Sequence, residues 1–280
     1  MKTQPIFLFS VDLEDVRLRV TNGLSYSPQV EKMIDLYLGF LSEYNAKATF
    51  FTVGNITTHY PGLIAKIVKE GHEIACHSDQ HVPVTLQSKT EFKEDLLVNR
   101  KKLLENGAEK IVGYRAPTFS LTQQTSWVYE ILSELNFTYS SSVLPEHNPL
   151  FGWKDFGHQP KKMNRTIWEL PMNINKYVYP KTPFAGGVYF RVLPFYIIKK
   201  NFEHYFSRNM VVNSYFHPYD VDTEQENFMH PEIHNNLFYN TLMYYNRKNV
   251  FHRLRKIMNI FKPKIMPYSE YVSLLHNHEH

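Results

Sequence analysis

The feature that most constrains this chain is an alternation. Short apolar runs of strand character are followed, again and again, by longer stretches with helical spacing. Residues 5–12 read as a buried strand, and AKATFFTVG, HEIACH, KIVGYRAP, FTYSSS, TIWELPM, GVYFRVLP and MVVNSYFHPYD have the same character. Between them SPQVEKMIDLYLGFLSEYN, YPGLIAKIVKEG, SKTEFKEDLLVNRKKLLENG, TSWVYEILSELN and PFYIIKKNFEHYF read as helices. A basic helix, a short strand around PKIMPYS and a closing helix end the chain. Ser27 with Pro28 predicts a helix start, Asn45 its close, and Ser88 with Glu91 a capping box. Such alternation implies an α/β fold: a parallel sheet with right-handed crossovers, whose unit count of about seven or eight suits barrel-like closure. No linker, repeat or low-complexity tract divides residues 1–280, so a single domain is expected. The long loop 143–165 is the one stretch without clear periodicity.

Polar clusters stand where strands should end, the edge where α/β folds place their chemistry. They are Asp12, Glu14 and Asp15 after the first strand, His77 and His81 in HSDQH, Arg115 in GYRAP, and His217 in FHPYD. His77 and His81 lie four apart, so on a helical turn both imidazoles share a face. Two His with one carboxylate make a ligand set for a catalytic Zn²⁺ or similar divalent ion. A second carboxylate is then a candidate general base, His217 a candidate acid for the leaving group, and Arg115 a candidate to orient the base. The inventory points to metal-assisted hydrolysis of an amide or ester. A GxSxG elbow, a GxGxxG loop and a Walker loop are all missing from the sequence. The single Cys76 excludes an internal disulfide and reads as a packing residue. The net charge of +4 is mild. The basic stretch RKNVFHRLRKIMNIFKPK reads as the wet face of an amphipathic helix, leaving peripheral membrane contact open; no nucleic-acid partner is expected. The N-terminal stretch lacks a full apolar targeting region, and no window reaches membrane-spanning length, so a cytoplasmic location is the expectation. The oligomeric state is not readable.

The motifs SVDLED, TFFTVGNI, HEIACHSDQH, GYRAPTFS, WELPM, PFAGGVYFRVLP and YFHPYDVDTEQ occur in the order found in one known family. Over nearly its whole length the chain resembles the NodB-homology polysaccharide deacetylases, carbohydrate esterase family 4. It is most similar to the subgroup associated with exopolysaccharide loci. The resemblance implies a distorted (β/α)7-8 barrel with a subgroup-specific part at about 220–280. It implies removal of acetyl groups from N-acetylated sugar units of a glycan or glycan precursor, around a metal held by one acid and two His. His77 and His81 would be ligands, with Arg115 and His217 in supporting roles. The family's two adjacent acids are here spelled D-L-E-D: Asp12 as base with Glu14 as ligand is the preferred assignment, and Asp15 is the rival for the metal. The usual aspartate–tryptophan pair has no clear counterpart, since WKDF matches poorly, so Asp220 and Asp222 are candidates to tune His217. Pro117, Gly186, Gly187, Tyr189, Arg191 and Trp153 are candidate substrate contacts, with the Gly pair equally readable as a tight turn and Trp168 as a packing residue. Two other readings remain: an allantoinase-like cyclic amide hydrolase and a non-catalytic carbohydrate-binding relative.

Overall fold

The structure is a computed structural model and describes residues 4–146, 151–231, 233 and 235–277. Its strands are β1 (Ile6–Leu8), β2 (Ser10–Leu13), β3 (Thr49–Thr52), β4 (Glu73–Cys76), β5 (Gly113–Tyr114), β6 (Tyr139–Ser140), β7 (Lys161–Lys162), β8 (Trp168–Glu169), β9 (Val212–Asn213) and β10 (Lys264–Ile265). Its helices are α1 (Val30–Glu43), α2 (Ile56–His59), α3 (Leu63–Lys69), α4 (Lys89–Glu105), α5 (Val128–Glu134), α6 (Gly187–Val192), α7 (Phe195–Phe206), α8 (Leu237–Tyr244), α9 (Val250–Phe261) and α10 (Tyr268–Asn277). The expected alternation is therefore present.

One sheet runs in the order β2-β3-β4-β5-β6-β8-β7, parallel apart from the edge strand β7. The other runs β10-β1-β9, also parallel. The sheets are continuous through the chain at Phe9. They are joined again where the chain after β9 runs beside β2: Asp12 N donates to Phe216 O at 2.7 Å and Phe216 N to Ser10 O at 3.0 Å. On the far side, Asn173 and Asn213 cross-link the chain after β8 to β9, each backbone N donating to the other's Oδ1 (3.1 and 2.6 Å). The hydrogen-bonded ring of the expected barrel is thus realised as two sheets, with amide side chains bridging one seam.

Several local expectations shift. Helix α1 starts at Val30 rather than after Ser27, and Gln29 stands at its N-cap. Its buried stripe is Val30, Met33, Ile34, Tyr37, Leu38 and Leu41, with Phe40 added. Asn45 takes a left-handed φ of 47°, as a helix-closing Asn should. The Ser88–Glu91 capping box is present. The segment GVYFRVLP, expected as a strand, is helix α6, because Gly187 takes a φ of +53° and turns the chain into it. The loop 143–165 carries a 3-10 turn at Lys154–Phe156 and strand β7; its residues 147–150 lie outside the described set. The C-terminal part is built into the core: Tyr268 is fully buried and its ring stacks on Tyr139 at 5.8 Å. Among the described residues no helix is long and apolar enough to cross a membrane.

One buried histidine makes stability depend on pH. His72 Nδ1 accepts a hydrogen bond from Ala48 N at 3.2 Å, so that nitrogen must be unprotonated. Burial, with Lys47 nearby, pushes its pKa down to about 4. The unfolded chain then binds the extra proton between about pH 6.5 and 4, so stability falls as pH falls through that window. The loss due to this residue should be about 2 kcal/mol, after discounting for partial hydration. His72→Gln should flatten the pH dependence of the denaturation midpoint over that range; an unchanged slope would refute the assignment.

Candidate active site

Residues alternate faces along a strand, so Ser10, Asp12 and Glu14 line one side of β2 and its extension. That side faces the fully buried Arg115, which follows β5. Arg115 Nη1 donates to Asp12 Oδ1 at 2.5 Å and to Ser10 Oγ at 2.9 Å. Its other donors reach Ser141 O (3.1 Å) and Tyr268 OH (2.9 Å), and its guanidinium lies 3.9 Å above the centre of the Phe51 ring. Every face of this cation is occupied, so it holds Asp12 in one position.

His77 directly follows β4. Its Nδ1 lies 2.8 Å from the carbonyl of Arg115. A carbonyl only accepts, so Nδ1 carries the proton and the Nε2 lone pair points into the site. His77 Nε2 is 3.9 Å from Asp12 Oδ2, and His81 Nε2 is 3.5 Å from Glu14 Oε2. The two imidazole rings meet edge to face at 5.0 Å. Burial pushes the His77 pKa down to about 4 in spite of Asp12, so the ring is neutral and able to donate its lone pair. Burial alone would raise the Glu14 pKa, but Arg19 beside it (Nη2–Oε2 2.6 Å) and His81 lower it far below the usual carboxylate range.

The convergence of His77 and His81 does not come from a helical turn, as the i,i+4 spacing predicted. Residues 77–81 form a loop in which Ser78 and His81 have φ of 69° and 57°. Helix α4 holds this loop in place. Asp95 accepts from Asp79 N at 2.9 Å, and Asn99 Nδ2 donates to the carbonyls of Ser78 (2.7 Å) and Thr52 (3.1 Å). Ser78 Oγ accepts from His81 N at 2.8 Å. Asp95 sits among the polar residues of a weakly patterned helix, and Asn99 is a polar residue on its buried stripe with Phe92, Leu96 and Leu103; nothing in the sequence marks either as shaping the histidine loop.

The rival acid Asp15 does not join the group. It caps the turn Val16–Arg19, accepts from Arg17 N at 3.0 Å and from Tyr60 OH at 2.5 Å, and pairs with Arg17 Nη2 at 2.6 Å. Both carboxylate oxygens are spent on that cap, so Glu14 stands alone as the candidate acid ligand.

His217 completes the cluster, with Nε2 3.9 Å from Glu14 Oε1 and 4.0 Å from Asp12 Oδ2. Asp220 Oδ2 accepts from both His217 N and Nδ1 at 2.9 Å, and Tyr219 stacks on the ring at 4.6 Å. Burial alone would lower the His217 pKa; the hydrogen bond and charge of Asp220, together with the nearby carboxylates of Glu14 and Asp12, raise it. Asp220 is therefore the tuning acid. Asp222 is engaged elsewhere, accepting from Glu224 N at 2.9 Å.

Among the candidate substrate contacts, Arg191 is corrected: it is fully buried and its Nε donates to Asp220 Oδ1 at 2.9 Å. Gly186 and Gly187 permit close approach to Tyr215 rather than to a ligand. A Cβ at Gly186 would stand 2.4 Å from the Tyr215 carbonyl, and one at Gly187 2.6 Å from its ring. Trp153 packs edge to face on Phe156 at 5.0 Å, and Trp168 on His276 at 6.0 Å. Pro117 is buried and opens the turn that sets Phe119 edge to face on Tyr215 at 5.2 Å, beside His217. Tyr189 is half-buried on α6. Cys76 is buried, and burial pushes its thiol pKa well up, as suits a packing residue.

Two donors on one metal stand about 3.4 Å apart, since metal–ligand bonds near 2.1 Å meet at tetrahedral angles. The His81–Glu14 spacing of 3.5 Å is of that size, and longer than a hydrogen bond. Among the described residues no group of three His, Cys, Asp or Glu forms a ready cage. The donor chemistry fits, with one neutral His of fixed tautomer, a second His and one ionised acid facing it.

Residues 25–140 match the polysaccharide deacetylase family model, and residues 141–267 match a domain of unknown function, DUF3473. A peptidoglycan-N-acetylglucosamine deacetylase of Bacillus cereus is 33% identical over 93 residues, 33% of this chain and 40% of that protein. The chain thus spans less than half the length of that relative. Several solved structures share the fold. A Mycobacterium smegmatis protein named for the polysaccharide deacetylases aligns at TM-score 0.63 and 17% identity, covering 100% of this chain and 96% of its own. Puue allantoinase aligns at 0.64 and 12% identity, covering 99% and 91%.

Proposed function

This chain carries a domain of the polysaccharide deacetylase family, and on that premise we propose that it is a metal-dependent hydrolase removing acetyl groups from N-acetylated sugar units of a glycan or glycan precursor. The observation that carries the reading is the tie between base and ligand. Arg115 pins Asp12 with its guanidinium and sets the His77 tautomer with its carbonyl. Glu14, His77 and His81 would hold the ion. A bound Zn²⁺ or similar divalent ion would acidify a water molecule and polarise the acetamide carbonyl. Asp12, held by Arg115, takes a proton from the attacking water. His217, whose pKa Asp220 helps to raise, gives its Nε2 proton to the amine nitrogen as the C–N bond breaks. The products are acetate and a free amine on the sugar.

The test is acetate release from a panel of N-acetylated mono- and oligosaccharides, exopolysaccharide fragments included, with and without chelator, alongside allantoin as a cyclic amide. Chelator-sensitive acetate release is expected. Turnover of allantoin in place of the sugars would favour the cyclic amide reading. Saturable sugar binding without release, in metal-loaded protein, would favour a binding protein.

A further inference from the structure

His217 has a support that reaches well beyond its own turn. Asp220 is fully buried, and its two oxygens are divided: Oδ2 accepts from His217 N and Nδ1, while Oδ1 accepts from Arg191 Nε at 2.9 Å. The Arg191 guanidinium is itself fully buried, on the short helix α6. Its Nη1 donates to three carbonyls at the end of α8: Leu242 (3.2 Å), Met243 (2.8 Å) and Tyr245 (2.8 Å). The C-terminal end of a helix carries partial negative charge, so these carbonyls are a fitting seat for a cation. In return Asn246 Nδ2 donates to the Arg191 carbonyl at 2.8 Å.

We infer that Arg191 is a positioning residue for the acid, acting through Asp220, and that α6 and the end of α8 are parts of the active site rather than an appendage to it. All of these residues lie in the stretch that matches a domain of unknown function. The physical argument is one of constraint. A carboxylate held only by His217 could rotate about χ2 and exchange its oxygens. With Oδ1 tied to a guanidinium that is itself tied at three further points, that rotation is blocked and Oδ2 stays on Nδ1. Nδ1 then keeps its proton toward Asp220, and Nε2 keeps facing Asp12 and Glu14. Lysine cannot reproduce this, because a single ammonium cannot span Asp220 and three carbonyls as a planar fork does. The kinetic part of the inference rests on the deacetylase reading; the structural part does not.

The experiment therefore has two arms. In the first, the imidazole ¹⁵N shifts of His217 are compared in metal-loaded wild type, Arg191→Met, Arg191→Lys and Arg253→Met. Arg253 is the control, since it donates to the carbonyls of Phe190, Arg191 and Leu193 without touching Asp220. The Nδ1 signal should move in Arg191→Met and stay in Arg253→Met. In the second, kcat should fall about 10- to 100-fold in Arg191→Met, with KM changed less than about twofold and metal content as in wild type. Arg191→Lys, which keeps the charge but not the fork, should recover only about threefold of that loss. Unmoved His217 signals in both Arg191 variants, or an equal kcat loss in Arg253→Met, would overturn the inference. A wild type that releases no acetate would sink the deacetylase reading, while the spectra would still decide the clamp.

Discussion

Asp12→Asn should lower kcat for acetate release by about 10²- to 10⁴-fold, the range for losing a general base. Asn has nearly the same shape, so Glu14, His77 and His81 stay in place and metal content should not change. Stability should change, however. Asp12 is the only carboxylate paired with the fully buried Arg115 among the described residues. Removing one charge of such a pair leaves the other uncompensated in the interior, at a cost of about 3–5 kcal/mol. The variant should therefore be inactive, metal-loaded and less stable by chemical denaturation. Full activity would remove Asp12 from the mechanism. Loss of metal together with activity would make Asp12 a ligand and reopen the role of Glu14.

His81→Ala should lower metal affinity by more than the 10- to 100-fold typical of groups that merely support a ligand. Acetate release should vanish at ordinary metal concentrations. The loop should survive, because Ser78 Oγ accepts from the backbone N of residue 81 and Asp95 and Asn99 hold its neighbours. Metal per chain after dialysis and the thermal shift on adding Zn²⁺ are the readouts. Asp15→Asn is the matched contrast. It should keep the metal while weakening the Arg17–Tyr60 cap and lowering the denaturation midpoint. Metal bound as tightly in His81→Ala as in wild type would refute the ligand set, and metal lost from Asp15→Asn would restore the rival acid.

Much of this site is legible in the chain because strand ends are legible. Apolar runs mark the strands, and the charged residue that ends each run must sit at the sheet edge. Asp12, His77, Arg115 and His217 were recognisable on that ground before any fold was in view. Less local features were not. Asp95 looks like an ordinary residue of a wet helix face and Asn99 like a polar interruption of the buried stripe Phe92, Leu96 and Leu103, yet both shape the histidine loop. Arg191 reads as a groove residue, because nothing nearby in sequence shows that it will be buried against Asp220, 29 positions on. GVYFRVLP reads as a strand by composition and folds as helix α6, since Gly187 and the crowding of Tyr215 decide its backbone.

What the sequence determined by itself was the alternation of elements, the parallel α/β class and the residue types at each strand end. These follow from local terms, namely hydrophobic period, capping and turn chemistry, which act over a few residues. What only the tertiary structure decided was the division of labour among the acids: Asp12 against Arg115, Glu14 against His81, Asp15 turned aside to Arg17 and Tyr60. That choice depends on which partner each carboxylate meets once burial has made an unpaired charge costly, and the partners arrive from segments up to 103 residues away.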